Sequence, residues 1–205
     1  MIVGVHDGVT GRNVQVIKGA LNRITPAKLA AAASSFPMLV ALPHPRIAVL
    51  LGGPNRCYRF GADEARQLAD QLKTLSAQGF SLMVTASRRT GTENETIIRQ
   101  ALGAGDFFWD GNGENPLFAM LALADHILVT SDSISMVSEA ATTGKPVQVI
   151  HLAGGDTKFS SFHRLMESGG YTRSFTGSIE IWNNSKLNDT EDAAALVNSL
   201  FSARL

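Results

Sequence analysis

From Arg46 onward, short apolar runs alternate with stretches whose apolar residues recur at helical spacing. That alternation is the pattern of βαβ units on a parallel sheet, because each strand must cross over through a helix to reach a parallel neighbour. Ile47–Leu51 reads as the first clear strand. A helix over Asp63 to Gln78 follows, with Ala65, Leu68, Ala69, Leu72 and Leu75 on one face and Gly79 as its stop. Phe80–Thr85 reads as the next strand. Thr92 with Glu95 then predicts a capping box ahead of Ile97, Ile98, Ala101 and Leu102. A short strand over Asp106–Trp109 is followed by Asn115-Pro116, a cap and first-turn proline for a helix through Leu117, Met120, Leu121 and Leu123. His126–Val129, a helix over Ser133–Thr143 closed by Gly144, and a strand over Val147–Ile150 continue the series. Two further helices are expected over Phe159–Ser168 and Glu191–Ala203, with an irregular connection between them that includes an extended piece at Ile179–Trp182. The fold class expected is α/β: a Rossmann-like, doubly wound parallel sheet with helices on both faces.

The first 45 residues do not fit that repeat. Met1–Val5 reads as a buried strand with no lead-in, followed by the loop His6-Asp7-Gly8-Val9-Thr10-Gly11. Thr25 and Pro26 cap a small helix over Ala27–Ser34, and prolines 37, 43 and 45 make Phe36–Pro45 read as a linker. The expected organisation is a stub with a linker over 1–45, then one doubly wound α/β domain over 46–205.

The bulk properties narrow the function. With 205 residues, 44% hydrophobic, and 18 Lys+Arg against 18 Asp+Glu, the chain fits neither a disordered tail nor a charge-driven nucleic-acid binder. A single cysteine, Cys57, excludes an intramolecular disulfide and a multi-cysteine zinc site. The five histidines, at positions 6, 44, 126, 151 and 163, lack metal-ligand spacing, so no metal or cofactor is expected. The longest apolar stretch, Met38 to Leu51, is broken by Pro43, His44, Pro45 and Arg46, which predicts no membrane span. With no secretory leader pattern, a cytoplasmic location is the expectation.

Known enzyme motifs fail in informative ways. Gly144-Lys145 is followed by Pro146 and preceded by Glu139 where a P-loop needs glycine. Gly111-Asn112-Gly113 leads to Pro116 in place of a third glycine, and no G-x-S-x-G elbow occurs. What remains is a set of polar loops, each just after a strand, where open α/β sheets bind ligands. Gly52-Gly53-Pro54-Asn55-Arg56 offers closely approachable backbone amides and a charge; an ordinary tight turn is the plainer reading. Ser87-Arg88-Arg89-Thr90 pairs guanidiniums with hydroxyls in a manner suited to a diphosphate, or is a solvated pair. Ser131-Asp132-Ser133-Ile134-Ser135-Met136 enters a helix whose first amides favour an anion, with Glu139 one turn further along to accept a ribose diol. Plain capping by the serines and a solvated Glu139 are the alternatives. Asn115 caps a helix close to the same edge.

The stretch from Ala124-Asp125-His126 through Glu139 to Gly144-Lys145-Pro146-Val147 resembles the donor-binding half of GT-B glycosyltransferases. More closely, His6-Asp7-Gly8, Gly19-Ala20-Leu21-Asn22-Arg23, Leu51-Gly52-Gly53, Ser87-Arg88-Arg89-Thr90, Gly113-Glu114-Asn115-Pro116, Thr130 through Glu139, and Lys158-Phe159 with Phe162-His163 resemble the mitochondrial fission "elongated mitochondria" family. The resemblance implies the C-terminal half of a GT-B fold, with Met1–Leu21 as the end of the other half and its connection. Gly91 stands where that family usually has proline. The ligand implied is a nucleotide diphosphate sugar of UDP or GDP type, held by Gly52, Gly53, Arg88, Arg89, Ser131, Ser133, Ser135 and Glu139. Two functions follow from the resemblance: glycosyl transfer, or a non-catalytic interaction role on a retained fold, with an oligomer compatible with either. No residue is assigned as catalytic base, since that group normally comes from the other half, of which the His6-Asp7 edge alone is present. A nucleotide-sugar epimerase with a glycine-rich dinucleotide turn and a Tyr-x-x-x-Lys pair is disfavoured, because neither Tyr58 nor Tyr171 has lysine four residues on.

Overall fold

The computed structural model describes residues 1–202. Its elements run β1 (Ile2–Gly4), β2 (Gln15–Ile17), α1 (Pro26–Ser35), α2 (Pro37–Val40), β3 (Arg46–Leu51), β4 (Tyr58–Arg59), α3 (Ala62–Ala77), β5 (Ser81–Ala86), α4 (Thr92–Ala101), β6 (Phe107–Trp109), α5 (Leu117–Leu123), β7 (His126–Thr130), α6 (Ile134–Thr142), β8 (Val147–Ile150), β9 (Ala153–Gly154), α7 (Thr157–Ser168), β10 (Arg173–Ser174) and α8 (Asp189–Ser202). Six strands form one sheet in the order β10-β8-β7-β3-β5-β6, and every pairing in it is parallel. The chain winds outward from β3 through β5 to β6, then returns to the other side of β3 with β7. That reversal is the switch point of a doubly wound fold.

Alternation along β3 shows how the sheet is covered on both faces. Ala48 and Leu50 pack with Met120, Ile127, Val137 and Phe162, while Ile47, Val49 and Leu51 pack with Leu68, Leu72 and Ile98 from α3 and α4. All six β3 residues are buried, as a strand covered on both faces requires. The expected inner face of α3 is the one observed: Ala65, Leu68, Ala69, Leu72 and Leu75 are buried.

Several local expectations change. Thr92 does not cap α4. Gly91, at φ +81°, occupies the cap position, a conformation that favours glycine, and Thr92 becomes the first helical residue. α5 begins at Leu117, one residue later than expected, yet Asn115 still acts at its start, its Oδ1 accepting from the Leu117 amide at 2.9 Å. The proline-broken stretch after Phe36 holds α2, because Pro37 sits at the first helical position, where its missing N–H costs nothing. Leu39 of α2 is fully buried, and the Arg46 guanidinium donates to the Val40 and Leu42 carbonyls.

The expected opening strand exists but is not buried. Ile2 and Val3 are half-exposed, and β1 pairs in parallel with β2 outside the main sheet. The extended piece at Ile179–Trp182 forms no strand. Arg173–Ser174 pairs with β8 instead, and the Gln148 side chain links to Ser178 and Glu180. The last expected helix is α8, and its predicted end at Ala203 lies outside the described residues. Among the described residues, no helix is long and apolar enough to cross a membrane, and no group of His, Cys, Asp or Glu is arranged to hold a metal ion.

Candidate functional site

A cleft of about 560 Å³ opens at the carboxyl edge of the sheet, over the ends of β3, β5 and β6. Among its walls are Ser87 and Arg88 after β5, Trp109 and Asp110 after β6, Asn115 before α5, and Met136 in the first turn of α6. Thus four of the residues singled out in the sequence, Ser87, Arg88, Asn115 and Met136, meet in one cavity. The Ser87 Oγ is buried there without a hydrogen-bond partner among the described residues. Arg88 is exposed, and its side chain has no hydrogen bond or ion pair among the described residues.

Arg89 turns inward. Its Nη2 lies 2.8 Å from Asp132 Oδ2, and the Asp132 side chain is wholly shielded from solvent. Asp132 also accepts from the Gly53 amide at 3.0 Å and from the Thr130 hydroxyl at 2.7 Å. Thr130 in turn accepts from the Gly52 amide at 2.7 Å. The expectation that the Gly52 and Gly53 amides await an anion is therefore corrected: both are bonded within the protein. The glycines are required by close packing of loop on loop. A Cβ on Gly52 would lie 2.1 Å from Asp132 Oδ1, and one on Gly53 would lie 2.2 Å from the Arg89 carbonyl oxygen.

Other predicted residues brace the same junction. Asn55 donates to the Asp132 carbonyl at 3.2 Å and accepts from the Cys57 and Tyr58 amides. The buried Thr90 hydroxyl donates to the Gly52 carbonyl. Ser131 is also buried; its hydroxyl accepts from the Leu152 amide, and its carbonyl meets His163 Nε2 at 2.9 Å. Arg56 is exposed on the far side of this loop, beside Cys57 and Asp156, away from the cleft.

The start of α6 forms where the sequence places it. Ser133 caps it, accepting from the Met136 amide at 3.3 Å, and Ser135 is exposed in its first turn. Glu139 is half-buried one turn beyond Met136, and its carboxylate has no hydrogen-bond or ion-pair partner among the described residues. Burial pushes its pKa up, partly opposed by the positive charge of Arg23. Lys145 is not a ligand group: its ammonium binds the Ala122 and Ala124 carbonyls at the end of α5, and burial lowers its pKa to about 8.

Trp109 and Glu95 are lining residues that the sequence reading missed. The Trp109 indole is held by a 2.9 Å bond from its Nε1 to the Asn112 carbonyl. Glu95 is released to face the cleft because Gly91, rather than Thr92, caps α4. An aromatic at the last position of a strand and an acid in the first turn of the crossover helix before it were the available signals.

The comparisons with known proteins bear on the family and the fold. Residues 1–201 match the family model described as Mitochondrial fission ELM1. The chain belongs to that family. It is 37% identical over 198 residues to the Mitochondrial fission protein ELM1 of Arabidopsis thaliana, covering 94% of this chain and 46% of that protein. It is 32% identical over 203 residues to an uncharacterized protein of Rickettsia prowazekii, covering 94% and 56% respectively. The chain therefore spans about half the length of the curated relatives it matches.

Among solved structures, a family 9 glycosyl transferase from Veillonella parvula superposes with a TM-score of 0.50 at 11% identity, over 87% of this chain and 52% of that one. The UDP-GlcNAc 2-epimerase from Neisseria meningitidis, solved with UDP-GlcNAc bound, gives 0.50 at 16% identity, over 95% and 58%. These similarities are of fold, and the fold of this ELM1-family chain is GT-B-like. The missing Tyr-x-x-x-Lys pair speaks only against epimerases of the dinucleotide-using kind, since an epimerase shares this fold.

Proposed function

We propose that residues 46–205 bind a nucleoside diphosphate or its sugar in the cleft above β3, β5 and β6, with residues 1–45 supplying the connection to a partner half. The observation that carries this reading is the pairing of Ser87 and Arg88: a buried hydroxyl with no partner among the described residues and a guanidinium lining the same cavity. An unsatisfied buried hydroxyl carries a desolvation cost that a ligand oxygen would remove. The diphosphate sits between Arg88 and the first turn of α6, where the helix amides and Ser135 add positive potential. Glu139, one turn beyond Met136 and outside the cleft wall itself, accepts from the ribose hydroxyls. In a transferase these groups would stabilise charge developing on the leaving diphosphate.

A non-catalytic role on the same fold is favoured by one specific feature. Arg89 and the Gly52 and Gly53 amides are bonded internally, leaving Arg88 as the cation among the residues that line the cleft. That arrangement suits binding more than it suits strong stabilisation of a leaving group. Calorimetric titration with UDP, GDP and their sugars tests the reading. Saturable heat that is weakened in Arg88→Ala supports it, and no heat for any of them overturns it. Binding without hydrolysis or transfer of the sugar selects the non-catalytic role.

A further inference from the structure

The cleft is electrically uneven along its length. The strand order β7-β3-β5-β6 sets its two ends: Met136 at the start of α6 on the β7 side, and Trp109, Asp110 and Gly111 after the edge strand β6. The α6 end is positive through the helix amides, with Arg88 contributed by the β5 loop. The β5–β6 side of the cleft carries two carboxylates, Glu95 from the crossover helix α4 and Asp110 after β6. They are not equivalent. Asp110 already accepts from the Asn112 amide at 3.0 Å, a bond that holds its carboxyl below the usual range. Glu95 is half-buried and has no hydrogen-bond or ion-pair partner among the described residues. The Trp109 indole, whose orientation is fixed through Asn112, lines the same cavity, as does the Ser87 Oγ, buried and unpartnered among the described residues.

We propose that this end of the cleft selects nucleoside diphosphates whose base presents adjacent N–H donors, guanine above all, with Glu95 as the specificity-determining residue. The proposal rests on the reading of the cleft as a nucleotide site and adds which nucleotide it takes. A carboxylate accepts hydrogen bonds and donates none. Guanine offers its ring N1–H and exocyclic amine side by side, a match for two carboxylate oxygens. Adenine offers one exocyclic amine. Uracil presents a single N–H flanked by two carbonyl oxygens, which a carboxylate repels. A uracil base would thus leave Glu95 desolvated and poorly paired, and the cost of that mismatch is what discriminates.

The test compares GDP, inosine diphosphate, ADP and UDP by calorimetry on the full chain, and repeats GDP and UDP on Glu95→Gln. GDP is expected to bind at least about tenfold tighter than UDP, the effect of one charge-assisted hydrogen bond. Inosine diphosphate, which keeps N1–H and lacks the amine, falls between them; this comparison needs no variant. Glu95→Gln, checked for folding by its thermal melt, brings GDP and UDP to within about threefold, because an amide can also donate. UDP binding as tightly as GDP, or an undiminished preference in the variant, overturns the specificity role while leaving the nucleotide site standing. No binding of any of the four overturns the nucleotide reading itself, and this inference with it.

Discussion

Asp132 and Arg89 form an ion pair of 2.8 Å that joins the loops after β7 and β5, with the Asp132 carboxylate wholly shielded and the Arg89 side chain 42% exposed. The same carboxylate holds the loop after β3 through the Gly53 amide. Three ligand-edge loops therefore share one buried anion. Removing it by Asp132→Ala leaves the Gly53 amide without its acceptor and the Thr130 hydroxyl without its own, and is expected to cost about 3 kcal/mol in urea denaturation. Arg89→Ala is expected to cost less, about 1–2 kcal/mol, because solvent screens the exposed guanidinium and the carboxylate keeps two donors.

Close approach at the same junction gives a second expectation. Gly52→Ala and Gly53→Ala would place a Cβ about 2 Å from Asp132 and from the Arg89 backbone respectively. Each is expected to destabilise by about 2 kcal/mol or more, since overpacking there has to move backbone or a buried charge. Gly105, where an added Cβ meets nothing within 4 Å, is the control. Gly105→Ala should change stability by no more than about 0.5 kcal/mol.

Acid sensitivity has an identifiable source. His163 binds the Ser131 carbonyl through Nε2, while its buried Nδ1 has no partner among the described residues. Burial lowers its pKa below 6.5, and His6 and His126 are lowered for the same reason. Below pH 6.5 the unfolded chain takes up protons that the folded chain resists, so stability falls as pH drops through that window. Denaturation midpoints measured from pH 7.5 to 5 should show this decline. His163→Gln should flatten its share of the slope, and an unchanged slope would remove His163 from the account.

Glu139 predicts a loss in the same direction for a ligand. Burial raises its pKa, so acidification protonates it sooner than an exposed glutamate and removes an acceptor from the ribose. Nucleotide affinity should weaken as pH falls toward that raised value. Glu139→Gln should bind about 1.5–3 kcal/mol more weakly at neutral pH and lose the pH dependence. A variant with unaltered affinity would detach Glu139 from the ribose.

The fold was readable because β3, β5, β7 and β8 are short apolar runs separated by helices with one apolar face, a pattern set by burial on both sides of the sheet. The site was readable in part. Ser87, Arg88, Asn115 and Met136 follow strand ends and do converge. Which of two adjacent arginines faces the cleft was not readable, because the choice is made by Asp132, 43 residues away in the chain. The role of Gly52 and Gly53 was misjudged for a related reason: glycines admit the close approach of a ligand or of another loop equally well, and Asp132 and Arg89 supply the loop. Glu95 escaped notice because Gly91, at positive φ, displaced the capping box that would have occupied it.

The chain has two tryptophans, and only Trp109 borders the cleft. Their indole N–H signals in an amide proton–nitrogen spectrum therefore report site and non-site together. Titration with a nucleoside diphosphate should shift the Trp109 indole and the backbone amides of Ser87, Arg88 and Ser133 through Met136, in a saturable manner, while Trp182 stays in place. Shifts confined to other surfaces, or none up to millimolar nucleotide, would contradict the nucleotide-binding cleft on which the account rests.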